Sequence, residues 1–175
     1  MSKKRVKIMV SKLILDILDR DSRQFNMTRE KLCNEILIIF SIRKMQGIER
    51  EELDEKTYLQ FTLTQSTTEY YKAISNGVQD EPKFIRNIFT GYAHLNPFYR
   101  EIILFRDKLI VLKDYCLKKE KLHISIGNRL EEVIVEEIKR CQMTDYIKLR
   151  TDKGEFYMNE LRIIFWERIK YLWST

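Results

Sequence analysis

The sequence predicts an α+β chain in which a strand–helix–helix unit occurs twice, followed by one long helix and a small C-terminal β-barrel. Three observations carry this prediction. Apolar residues alternate with polar ones in RVKIMVS (5–11) and again in YLQFTLT (58–64), as they do in a strand with one buried face. Each strand is followed by apolar residues at helical spacing, and the two copies lie 51 to 53 residues apart. From Phe98 to Cys116 the apolar residues are spaced 4, 3, 4, 3, 4, and short alternating segments with turn signals follow.

The first unit covers residues 1–47. Val6, Ile8 and Val10 supply the buried strand face, so Arg5, Lys7 and Met9 must point the other way. Ser11 is placed to cap a helix whose apolar stripe is Leu13, Ile14, Ile17, Leu18 and Phe25. Asn26 tolerates the left-handed conformation that stops a helix. Thr28 caps the second helix, with Leu32, Cys33, Ile36, Leu37 and Phe40 inward and an end near Gly47.

An acidic linker, QGIEREELDEK, leads to the second unit at 57–95. There Leu59, Phe61 and Leu63 face in, while Tyr58, Gln60 and Thr62 face out. Tyr70, Tyr71 and Ile74 mark the next helix, and Gly77 stops it. Asp80 caps the last helix of the unit, where Phe84, Ile85, Ile88 and Phe89 take the places of Leu32, Cys33, Ile36 and Leu37; Pro82 suits its first turn.

Asn96-Pro97 breaks the chain before a helix at 98–119. Its heptad stripe, Phe98, Ile102, Phe105, Leu109, Leu112 and Cys116, can dock in-chain or form a seam between two copies, and the seam is preferred. Residues 120–175 read as strands KLHISI, EVIVEEI, DYIKLRT and EFYMNEL, with turns at Gly127-Asn128 and Asp152-Lys153-Gly154 and a final amphipathic stretch.

Charge narrows the partners. The net charge of +6 is distributed as +6 over residues 1–50, −3 over 51–97 and +3 over 98–175, which favours a polyanion met by the ends of the chain. Cys33, Cys116 and Cys141 have no metal-binding or disulfide spacing and read as reduced thiols of a cytoplasmic protein. The longest apolar run, ILIIF, is far too short for a membrane span, and the basic N-terminus lacks the features of a signal peptide. No nucleophile constellation or phosphate-cradling glycine loop is present, so an enzyme, a metal site and a cofactor are not expected. The carboxylates Glu131, Glu132, Glu136 and Glu137 read as solvated strand positions.

The strand, two helices, left-handed stop and polar cap of residues 4–45 resemble the ribbon-helix-helix family of DNA-binding proteins; residues 57–93 resemble it less closely and look like a degenerate copy. The resemblance implies that two units pair their strands antiparallel and that the ribbon enters the major groove of double-stranded DNA. It implies base contacts from Arg5, Lys7 and Met9 and phosphate contacts from Lys3, Lys4, Thr28 and Arg29. Tyr58, Gln60 and Thr62 would form a secondary ribbon face. Asp80, Glu81 and Pro82 make the matching helix start of the second unit unfavourable for phosphate. The helix and strands from residue 97 onward weakly resemble the start of a WYL domain, a barrel of the SH3/Sm-like kind found in bacterial regulators and CRISPR accessory proteins. Its Trp-Tyr-Leu signature is absent.

The function expected is a sequence-specific transcriptional regulator of the cytoplasm, acting as a homodimer on double-stranded DNA. The alternatives are an accessory protein binding RNA or single strands through the barrel, with Tyr146, Lys148, Arg150, Phe156, Tyr157, Trp166, Arg168, Tyr171 and Trp173 as stacking and charged groups, and a protein-interaction module. Strand pairing within one chain and between two copies are both open. An 11-residue linker spans at most about 36 to 40 Å, which permits pairing in cis. A neutral strand beside a basic one also avoids like-charge repulsion, which favours cis.

Overall fold

The computed structural model describes residues 4–50 and 54–164. The chain forms two compact units, residues 1–95 and 96–175. It is a mixed α/β protein with six α-helices, a two-stranded ribbon and a five-stranded antiparallel sheet among the described residues.

In the first unit the order is β1 (Arg5–Ser11), α1 (Lys12–Gln24), α2 (Arg29–Ile42), β2 (Lys56–Thr62), α3 (Gln65–Ser75) and α4 (Glu81–Ala93). Each helix start is set by a side chain that accepts an orphan backbone N–H. Ser11 takes that of Ile14 and Thr64 that of Thr67; Thr28 takes that of Lys31 and Asp80 that of Lys83. The same cap chemistry therefore recurs at equivalent points of both repeats.

β1 and β2 pair antiparallel within the chain, with Arg5 opposite Thr62, Lys7 opposite Gln60 and Met9 opposite Tyr58. The Lys4 carbonyl accepts from Leu63 N–H and the Glu55 carbonyl from Lys12 N–H, which extends the ladder past both ends. A two-stranded ribbon is marginal in water unless one face is covered. Here Val6, Ile8 and Val10 with Leu59, Phe61 and Leu63 form the covered face, buried against Ile14, Leu18, Ile36, Leu37, Ile85 and Phe89. Phe61 and Phe89 meet edge to face, with ring centroids 5.7 Å apart. Deep in this core the Tyr92 hydroxyl donates to the buried Asp21 carboxylate at 2.7 Å, joining α1 to α4 across the repeat.

Three details differ from the periodicity. Leu13 and Tyr70 are exposed, not part of the inward stripes. α2 stops because Lys44 takes the left-handed conformation (φ 49°), not at Gly47. Gly47 serves close packing instead: Ile48 N–H donates to the Asn87 carbonyl, and a Cβ on Gly47 would lie 2.6 Å from the Asn87 backbone.

In the second unit the expected long helix is two, α5 (Pro97–Leu104) and α6 (Arg106–Lys118), interrupted at Phe105. Their heptad stripe faces the unit's own sheet. Leu112 is fully buried, and Phe98, Ile102, Phe105, Leu109 and Cys116 pack against the core that Leu122, Ile124, Val133, Val135, Ile147 and Leu149 raise from the unit's own sheet. The sheet is β3 (Lys121–Ile126), β4 (Arg129–Arg140), β5 (Ile147–Thr151), β6 (Gly154–Tyr157) and β7 (Leu161–Ile163), in the order β6-β5-β4-β3-β7.

The expected barrel is thus an open sheet among the described residues, with β6 and β7 at its edges. EFYMNEL is not one strand: a 3-10 turn at Met158–Glu160 separates β6 from β7. The turn is held from the helices. Lys108 donates to the carbonyls of Met158 and Leu161 at 2.8 and 2.7 Å, and the buried Glu101 carboxylate accepts from Ile147 N–H and the Asn159 amide. These bonds satisfy a carboxylate that would otherwise be costly to bury.

Two substitutions test this packing. Ile8→Asp places a carboxylate opposite Leu59 in a dry core, and we expect loss of the cooperative melt of unit 1, since an unpaired buried charge costs several kcal/mol; a folded variant would mean that the faces are reversed. Gly47→Ala should lower stability by about 1–3 kcal/mol in denaturant titration through overpacking on α4, and an unchanged midpoint would mean that the contact yields freely.

Candidate nucleic-acid interface

The covered face of the ribbon fixes the other one. Arg5, Lys7 and Met9 and their partners Thr62, Gln60 and Tyr58 all point outward, and Arg5, Lys7, Tyr58 and Gln60 are exposed. The ladder bonds at Lys4 and Lys12 make the even residues of β1 the hydrogen-bonded positions. The outward residues therefore occupy the non-hydrogen-bonded pairs, where side chains stand closest.

Contacts on this face run along diagonals. Arg5 Nη2 donates to Gln60 Oε1 at 2.7 Å, and Lys7 Nζ lies 4.4 Å from the centre of the Tyr58 ring. The two contacts are counterparts under the approximate twofold that exchanges the repeats, because that operation swaps Arg5 with Tyr58 and Lys7 with Gln60. These six side chains are two cations, three neutral hydrogen-bonding groups (Thr62, Gln60 and Tyr58) and the apolar Met9, with no carboxylate among them.

The ribbon's outer edges are closed by the helices, again in matching fashion. The buried Asn34 amide of α2 donates to the Thr62 carbonyl at 3.0 Å, while its oxygen accepts from Thr64 N–H. Arg86 of α4, 52 residues further on, donates through Nε to the Met9 carbonyl at 2.7 Å. Neither edge contact was legible as such. A self-alignment of the repeats does, however, put the two polar residues at one position.

The expected phosphate anchors are partly engaged inside the chain. Lys4 is bonded to Glu81 at 2.8 Å and stacks over the Tyr71 ring, so the acidic start of α4 holds a ribbon lysine. Thr28 spends its oxygen on the Lys31 N–H, Arg29 lies 2.9 Å from Asp19, and Glu30 accepts from Thr62 N–H. Lys3 lies outside the described residues.

The C-terminal candidates are dispersed. Tyr146 is buried and Phe156 packs on the core. Lys148 lies near Glu155, and Arg150 bridges Glu136 and Glu137 at 3.2 Å each. Glu131 and Glu132 are likewise matched by Lys153 and Lys121, and the Lys121 ammonium holds the Glu132 carboxyl below its usual range. Trp166, Arg168, Tyr171 and Trp173 lie outside the described residues. Among the described residues no group of three or more His, Cys, Asp and Glu side chains is placed to hold a metal ion, and no helix is long and apolar enough to cross a membrane.

The thiols differ in character. Burial pushes Cys33 up to about 12. Cys141, at the turn between β4 and β5, is brought down to about 7, foremost by the Thr144 hydroxyl and, against the effect of burial, by the N–H groups of Thr144 and Met143 and the Tyr157 hydroxyl.

No family model matches the chain, and no curated protein matches it. Among solved structures it is similar to one described as the crystal structure of a CRISPR Cas-related protein, with a TM-score of 0.64 and 10% sequence identity. The match covers 93% of this chain, which spans 62% of that one. The likeness is one of fold.

Alkylation checks the thiol assignment. The rate of carbamidomethylation at Cys141, read by peptide mass spectrometry, should rise through a midpoint near pH 7, while Cys33 stays unmodified in the folded protein. A Cys141 midpoint at the ordinary thiol value of about 8.5 would contradict the hydrogen bonding described.

Proposed function

We propose that this chain is a ribbon-helix-helix type, sequence-specific binder of double-stranded DNA that acts as a transcriptional regulator in the cytoplasm, with the second repeat completing the ribbon in cis. The observation that carries the reading is the outward ribbon face, where Arg5 and Lys7 stand beside Gln60 and Tyr58 without a carboxylate. The major groove admits a two-stranded ribbon and presents a distinct donor and acceptor pattern for each base pair. Arg5 suits the O6 and N7 acceptors of guanine, Gln60 the N6 and N7 of adenine, and Met9 a thymine methyl group. Lys7 serves a base or a phosphate.

Energetics permit the exchange. The exposed Arg5–Gln60 bond is worth about 0.5–1.5 kcal/mol at most in water, whereas a bidentate base contact discriminates by about 1–3 kcal/mol. The free protein thus holds both side chains near their working positions without locking them. The similarity to a CRISPR Cas-related protein fits a nucleic-acid-associated setting, and no step of the reading uses catalysis. Binding of RNA or single strands by the C-terminal sheet has less support, because its cations are matched in-chain by Glu155, Glu136 and Glu137.

Selection from random duplex DNA followed by binding at about 50 and 200 mM salt tests the reading, with affinity expected to fall by orders of magnitude as phosphate contacts are screened. Arg5→Ala/Lys7→Ala should keep the wild-type melt and lose roughly 10-fold or more in preference for the selected site. Wild-type affinity and preference in that variant would remove the ribbon from the interface.

A further inference from the structure

The start of α4 is hostile to phosphate: Asp80 caps it, Glu81 follows, and Pro82 has no N–H to offer. One turn further along the same helix the chemistry reverses. Between the end of β1, the linker and α4 lies a groove of about 380 Å³ bordered by Met9, Glu49, Arg50, Lys56, Lys83 and Arg86. Among the described residues that line it, Arg50, Lys56, Lys83 and Arg86 are cationic and Glu49 is the carboxylate, bonded to Lys83 at 2.5 Å.

Lys56 and Arg86 have no carboxylate partner among the described residues; the Arg86 side chain donates to the Met9 carbonyl through Nε, which leaves its two terminal nitrogens available. The first repeat matches the lysines, with Lys3 at the position of Lys56, but has no guanidinium at that of Arg86. At the positions matching Lys83, Arg86 and Asn87, 52 residues earlier, it has Lys31, Asn34 and Glu35. The difference is specific to repeat two and lies beside the outward ribbon residue Met9.

We propose that this groove is a phosphodiester-binding site, in which Lys56 and Arg86 grip the backbone of the duplex whose groove the ribbon enters, replacing the helix start that repeat two has lost. The inference rests on the duplex-binding reading above. A ribbon in the major groove is flanked by a sugar-phosphate strand on each side, so the repeat-two side needs a contact of its own. A guanidinium anchored at Nε presents a planar fork to phosphate oxygens, and the Lys56 ammonium adds a point charge. A grip on phosphate oxygens carries no sequence information, so this contact serves every duplex alike.

The test is Lys56→Ala/Arg86→Gln in the full chain. Glutamine retains a donor for the Met9 carbonyl, as Asn34 does for Thr62, and a melt identical to wild type confirms that the edge is intact. With short random-sequence duplex DNA and the selected duplex as probes, affinity should fall by the same factor for both, and the slope of log affinity against log salt should flatten by about 2. An unchanged slope in a variant of a duplex-binding wild type overturns the groove and leaves the ribbon standing. A wild type that binds no duplex overturns the reading beneath both. Inorganic phosphate at constant ionic strength should not displace duplex from the wild type; displacement that the variant abolishes would make this a free-phosphate site and overturn the backbone assignment.

Discussion

A strand with two open edges cannot stay alone in water, and the pairing of β1 with β2 is the constraint from which the rest of the first unit follows. Register does most of the work. With Ile8 opposite Leu59 and Val6 opposite Phe61, the core residues Val6, Ile8, Val10, Leu59, Phe61 and Leu63 fall on one face, and a slip of one residue would carry them to solvent. The same register puts Arg5, Lys7, Tyr58 and Gln60 together on the other face. Core and candidate interface are two sides of one set of hydrogen bonds, so neither can be altered by a slip without the other.

Pairing in cis makes the ribbon unequal. A ribbon built from two copies of β1 would place Arg5 and Lys7 of each copy across from one another, whereas β2 supplies neutral side chains with which they interact. The approximate twofold survives in the skeleton, in the four caps and in the paired edge contacts of Asn34 and Arg86, while the surface chemistry of the halves has diverged. The second repeat keeps what folding requires and has lost the helix start that suits an anion. Its acidic residues found structural uses, Asp80 as a cap and Glu81 as the partner of Lys4.

Much of this was legible because it is written at short range. Alternation fixed the strand faces, and Ser11, Thr28 and Asp80 marked helix starts at positions where only a small polar side chain can serve. Asn26, with φ 53°, occupies the left-handed stop expected of it. What sequence did not show depends on distant partners. Arg29 was expected to contact phosphate, but its ion pair is with Asp19, one helix away; the break at Phe105 carries no proline or glycine, and the stripe keeps its spacing through it. The heptad pattern was real but described a face, not its occupant, which proved to be the unit's own sheet. The closed barrel is not found among the described residues, where β6 and β7 stand at opposite edges of the sheet; alternation marks strands but does not give their order.

The central claim, that two unequal strands of one chain pair in this register, is open to a direct measurement. In non-hydrogen-bonded antiparallel pairs the Cα atoms approach to about 4.5 Å, and the Hα atoms give strong cross-strand nuclear Overhauser effects. The account predicts such signals for Arg5 with Thr62, Lys7 with Gln60 and Met9 with Tyr58, all lost when an isotope filter on a mixed-label sample selects contacts between molecules. Intermolecular signals joining β1 of one copy to β1 of another would contradict it.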